Sequence, residues 1–137
     1  MKILVASDRS EESTNALANA LDLVDVADAE LTVVHVIDDP TRTEAAVDEN
    51  EVLEAALEQA ADRGVAIETE LLVGDPVEVI PEHAEANGFD VIYVGHRGLV
   101  PENEELSGED RETLGSVSRG IIENTRVPVT VFDRRRD

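Results

Sequence analysis

Val91-Ile92-Tyr93-Val94-Gly95-His96-Arg97-Gly98 and, after residues 99–114, Gly115-Ser116-Val117-Ser118 decide the reading of this chain. An unbroken apolar run of four predicts a strand buried on both faces. The segment opened by Gly115 has helical periodicity, with Ser116 or Ser118 able to cap it. Strand, glycine-bearing loop and helix start together form a recurring anion site. The first amides of a helix have no intrahelical partner, and the helix dipole favours negative charge there. Glycine lets backbone approach a phosphate where a side chain would collide. A nucleotide phosphate is the leading candidate ligand.

Working outward, strands and helices alternate. Residues 2–7 form a second continuous apolar strand, followed by a helix capped at Ser10 and marked by Ala16, Leu17, Ala20, Leu21 and Val24. Residues 31–37 are rich in β-branched side chains and predict a strand. Residues 38–48 read as a polar loop and 49–63 as a helix stopped by Gly64, with a third strand over 65–73. Gly74-Asp75-Pro76-Val77-Glu78 is a compact helix start, with Asp75 as N-cap, Pro76 at the first position and Glu78 able to reach back. That helix runs to about Asn87 and is ended by Gly88. Strands over 89–94 and 127–132 flank a last helix over 114–124, and the tail 133–137 is read as loose. The alternation predicts one α/β domain over 1–137, a parallel sheet with helices on both faces. Ligands of such sheets bind beyond the strands' carboxyl ends, where strand order reverses. Asp8 and Gly95 both follow strand ends and would share that crevice.

Composition narrows the partners. The chain carries 32 acidic and 11 basic residues, a net charge of −21, and Lys2 is its one lysine. Nucleic acid and anionic membrane both need a basic footprint, so neither is expected. An apolar content of 42% with clear periodicity predicts folding rather than disorder. An acidic shell almost without lysine suits a high-salt cytoplasm, where the Debye length shrinks to about 3 Å at 1 M and self-repulsion is screened. The absence of cysteine excludes disulfides and zinc–thiolate sites. No stretch is apolar enough to span a bilayer, and the N-terminal run reads as a strand rather than a signal peptide.

Taken together, Ile3-Leu4-Val5-Ala6-Ser7-Asp8-Arg9-Ser10, His35-Val36, Gly74-Asp75-Pro76, the Gly95…Gly98…Gly115-Ser116-Val117-Ser118 series and Val127-Pro128-Val129-Thr130-Val131 resemble the universal stress protein family over essentially the whole chain. The resemblance implies a Rossmann-like sheet of order 3-2-1-4-5 and, in the ATP-binding members, a bound adenine nucleotide, with or without Mg²⁺. Carried over residue by residue, Asp8 would hold ribose or adenine and Val36 would meet the adenine edge through its backbone. Ala6 and Val94 would line the base pocket. Gly95, Gly98, Gly115, Ser116 and Val117 would hold ribose and phosphates. The resemblance also implies a cytoplasmic homodimer joined through the last strand, Val127 to Phe132, with a regulatory or protective role in stress.

One departure stands out. The spacer between Gly98 and Gly115 is longer than the family pattern and carries Glu102, Glu104, Glu105, Glu109, Asp110 and Glu112. Like charges 4 Å apart cost about 4 kcal/mol even at an effective dielectric of 20. Such a loop repels a triphosphate unless a cation intervenes, or unless it swings into solvent and leaves Arg97 or Arg111 toward the phosphates. Two rival readings follow: a nucleotide-free dimer acting through protein contacts, and a slow ATP hydrolase or phosphotransferase drawing its base from the spacer. The three histidines lack metal-ligand spacing, and no Ser-His-Asp arrangement is visible. His35 is expected to make a structural hydrogen bond at a strand end and His83 to face solvent beside Glu82; His96 is read as a loop residue, with contact to phosphate as the lesser alternative.

Overall fold

The computed structural model describes residues 1–7, 11–37, 43–95 and 116–132, without the side chains of residues 11, 12, 25, 43–50 and 116–118. Its elements are β1 (Lys2–Ala6), α1 (Glu11–Ala27), β2 (Glu30–Ile37), α2 (Thr43–Asp62), β3 (Glu68–Val73), α3 (Pro76–Ala86), β4 (Val91–Gly95), α4 (Ser116–Asn124) and β5 (Val129–Phe132). The five strands form one sheet in the order β3-β2-β1-β4-β5. All neighbours are parallel, as the alternation of strand and helix requires.

Strand pleating divides the core. On one face Ile3, Val5, Leu31, Val33 and Tyr93 pack against Ala16, Leu17, Ala20 and Leu21 of α1 and Ala56 and Ala60 of α2. On the other, Leu4, Val34, Ile92 and Val94 pack against Ile80 and Ala84 of α3 and Ile121 of α4. The central strand β1 buries Ile3, Leu4 and Val5 completely. A strand covered on both faces must be apolar at consecutive positions.

Several element ends differ from the sequence reading. Helix α2 begins at Thr43, inside the stretch read as a loop; Glu44, Ala45 and Ala46 are good helix formers, and the loop reading gave Pro40 too much reach. Strand β3 begins at Glu68 rather than Val65, because the Val65 amide still donates to Ala60 O (3.0 Å) in closing α2. Phe89 belongs to the end of α3, its amide bonded to Ala84 O at 3.0 Å, and β4 starts at Val91. Val127 donates to the Thr125 hydroxyl (3.0 Å), so β5 starts at Val129. Gly64 and Gly88 follow α2 and α3 as expected, at φ of +69° and +70°. The expectations for Ser10, the 38–42 loop and the 133–137 tail lie outside the described residues.

Candidate functional site

Strand order reverses between β1 and β4. The connection from β1 leads through α1 toward β2, and that from β4 leads through α4 toward β5, so the chain leaves the two carboxyl ends in opposite directions. A crevice opens at such a point. Val5 pairs with Tyr93 in the β1–β4 register, which brings Ala6 alongside Val94 at the crevice floor. Ala6, Val36 and Val94 all point to the α3/α4 face: Val94 is buried, and Ala6 and Val36 pack half-buried against that core.

The exit of β1 is held firmly. The Ser7 amide donates to Val34 O at 2.9 Å. The His35 Nδ1–H donates to Ser7 O at 2.6 Å. Both ends of this short span are fixed by β2, so the chain is aimed before it reaches Asp8. His35 thus makes the structural hydrogen bond expected of it. The end of β2 is held in turn by the Gly74 amide, which donates to Ile37 O at 2.9 Å.

Gly74 adopts φ of +134°, a conformation side chains rarely tolerate, and a Cβ there would lie 2.8 Å from Val79 Cγ1. This tight turn delivers Asp75 as the N-cap of α3, its carboxylate accepting from the Val77 amide at 3.0 Å. The reciprocal bond expected from Glu78 is not made.

Helix α3 then fixes α4. Pro81 inside α3 has no amide hydrogen, which deprives Val77 O of its helical donor. Asn124 of α4 reaches that carbonyl at 3.5 Å. One turn earlier on α4, Gly120 lies so close to Val77 that an added Cβ would sit 2.6 Å from its Cγ1. A carbonyl freed by proline and a helix thinned by glycine lock the two helices together. Because β4 and β5 are parallel, α4 between them runs back across the sheet, which sets its start, at Ser116, on the carboxyl side.

The sequence-predicted residues therefore divide. Ala6, Val36, Val94 and Gly95 stand at the carboxyl ends of neighbouring strands, and Ser116 and Val117 open α4. Asp8, His96, Gly98, Gly115 and the acidic spacer lie outside the described residues, as does the Ser116 hydroxyl.

His83 requires a correction. It does not face solvent: its side chain is 19% exposed and its Nε2 lies 2.5 Å from Glu70 Oε2 of β3. Its ring also packs tilted on Phe89 with centroids 5.9 Å apart. The reading erred because Glu82, its helical neighbour, is exposed, whereas position 83 turns inward one step further round the helix.

Known proteins with this architecture place the chain. The sequence profile of the universal stress protein family matches residues 1–133. A universal stress protein of Bacillus subtilis is 33% identical over 150 aligned positions, covering 95% of this chain and 97% of its own length. A universal stress protein structure from Archaeoglobus fulgidus superposes with a TM-score of 0.78 at 25% identity, covering 96% of this chain and 93% of that one. The Archaeoglobus fulgidus universal stress protein in complex with dAMP superposes with a TM-score of 0.77 at 25% identity, covering 96% and 97%. With the sheet order, the reversal point and the sequence profile all in agreement, the chain belongs to the universal stress protein family.

Proposed function

We propose that this protein binds an adenine nucleotide, ATP or a relative with or without Mg²⁺, in the crevice between the carboxyl ends of β1 and β4. The observation that carries the reading is the reversal of strand order between those strands, with the start of α4 on the same side of the sheet. The dAMP bound by the Archaeoglobus fulgidus structure supports an adenine nucleotide as the ligand class. Ala6 and Val94 line the base pocket, Val36 meets the adenine edge and Asp8 holds ribose or adenine. Gly95, Gly98, Gly115, Ser116 and Val117 take ribose and phosphates, where helix-start amides favour an anion.

The protein acts as a cytoplasmic homodimer with a regulatory or protective output under stress, in a high-salt cell that its net charge of −21 suits. Strand β5 supports the dimer: among the described residues it pairs on one side only, with β4, and an unpaired strand edge favours a partner.

Calorimetric titration of ATP with Mg²⁺ in molar KCl tests the reading, with the wild type and Gly115→Val in parallel. Saturable binding by the wild type, lost in a variant with an unchanged circular dichroism spectrum, is the expected result. A wild type that binds neither ATP nor AMP would overturn it and favour the nucleotide-free dimer, with the six carboxylates of the 99–114 spacer as the physical cause. A phosphate-release assay on the same samples distinguishes binding from slow hydrolysis.

A further inference from the structure

The opposite end of the sheet holds a second cavity, of about 450 Å³, within the range of small-molecule sites. Its floor is the amino end of the α3/α4 face, where Thr32 pairs with Glu68 in the β2–β3 register and Glu70 lies one pleat further on. Its wall is the end of α3, with His83 and the Phe89 ring.

Two independent features mark it. The first is charge. Glu30, Glu68 and Glu70 line the cavity, and Lys2 is the one cation of fixed charge beside them. Lys2 is already committed elsewhere. Its Nζ donates to Asn87 O at 2.5 Å and stands 4.7 Å from the centre of the Phe89 ring. Among the described residues Glu30 and Glu68 have no ion-pair partner.

The second is Thr32, which lines the cavity, is 8% exposed, and has a hydroxyl without a hydrogen-bond partner among the described residues. Thr32 is nine-tenths buried, and no protein group among the described residues takes its hydroxyl, which leaves that acceptor to whatever fills the cavity. Glu30, Glu68 and Glu70 are exposed at the cavity rim, and a ligand that meets both them and the hydroxyl is a donor that carries positive charge.

We propose that this cavity is a ligand site for a small organic ammonium compound, its N–H groups donating to Thr32 Oγ1 and the Glu68 and Glu70 carboxylates and its carbon chain lying against Ile67 and Phe89. Ammonium supplies three donors and no acceptor, which matches a site made of acceptors, and bonds to carboxylate are the stronger kind. The site is at the amino ends of β1, β2 and β3, away from the β1–β4 crevice at the carboxyl ends, and stands whether or not that crevice takes a nucleotide.

The probe is 1,4-diaminobutane, titrated into ¹⁵N-labelled full-length protein at constant ionic strength and followed by amide shifts. The expected result is saturable shifts centred on Thr32, Glu68, Glu70 and His83. Tetramethylammonium, which has no N–H to donate, gives none. Glu68→Gln and Thr32→Val each weaken binding by about tenfold or more. Thr32→Ser, which keeps the hydroxyl, binds within about threefold of wild type. Non-saturating shifts spread over exposed carboxylates would reduce the effect to charge screening and overturn the proposal. So would equal shifts with tetramethylammonium or unchanged binding by Thr32→Val.

Discussion

The two faces of the sheet are built to different standards. Under α1 and α2 the central strands are apolar from their amino ends: Ile3 and Val5 on β1, Leu31 and Val33 on β2, Val91 and Tyr93 on β4. Under α3 and α4, β1, β2 and β3 start polar, with Lys2, Glu30, Thr32, Glu68 and Glu70, and turn apolar at Leu4, Val34 and Leu72. The first face can serve stability alone. The second gives up apolar burial at its amino end and, at its carboxyl end, supports Ala6, Val36 and Val94 beneath the crevice. Stability and ligand chemistry are thus separated across a single sheet, and substitutions on the two faces should differ in kind.

The largest effect is expected in the α1/α2 core. Leu21 is fully buried against the sheet. Leu21→Ala should lower unfolding free energy by about 2–5 kcal/mol, read by denaturant titration, through lost transfer energy and the cavity left behind. Nucleotide affinity of the folded fraction should not change. Altered affinity in that variant would break the division between the faces.

A smaller effect is expected where the second face is locked. Gly120→Val drives a side chain into Val77 at separations of 2.6 and 2.7 Å, and α3 and α4 must part to admit it. Overpacking of this kind costs about 1–3 kcal/mol. Because α4 begins at Ser116, this variant should lose nucleotide affinity as well as stability, whereas Leu21→Ala loses stability alone. Stability loss with intact affinity would mean that the α3–α4 lock does not position the crevice.

The legibility of the two faces follows the same division. Strand identity, parallel pairing and the Asp75 cap were readable because each rests on local pattern: apolar runs, helical spacing, a Gly-Asp-Pro turn; the strand order came from the family resemblance. His35 was readable because a histidine at a strand end has backbone within reach. His83 was not, since its partner Glu70 lies on another element and meets it only through α3 packing over β3. Nor was the α3–α4 lock, which depends on Pro81 freeing a carbonyl that Asn124, remote in sequence, reaches. Strand starts were misplaced wherever apolar residues such as Val65 and Phe89 serve to close a helix rather than to pair in the sheet. Local pattern specifies elements, whereas the polar contacts between elements are set by topology and have no signature within one segment.

The smallest effect isolates how closed the first face is at its β5 end. Tyr93 is 9% exposed and packs on Phe132 with ring centroids 4.8 Å apart. Burial pushes its phenol above the ordinary value of 10.0, since the phenolate would lose hydration there. In the unfolded chain the phenol ionises at its ordinary value while the folded protein still holds the proton. The unfolded state therefore binds fewer protons above pH 10.0, and stability must fall as pH rises through that region. Below it the contribution is fully present. Tyr93 is the only tyrosine in the chain, and the arginines stay charged throughout, so phenolate absorbance reports this group alone. The folded protein should titrate above free tyrosine, and Tyr93→Phe should flatten the alkaline fall in stability while leaving the neutral-pH fold intact. A phenol that titrates at its ordinary value would show water reaching the β4–β5 end of the face, and the contrast between a sealed face and a ligand-bearing one would then hold only under α1 and α2 at the centre of the sheet.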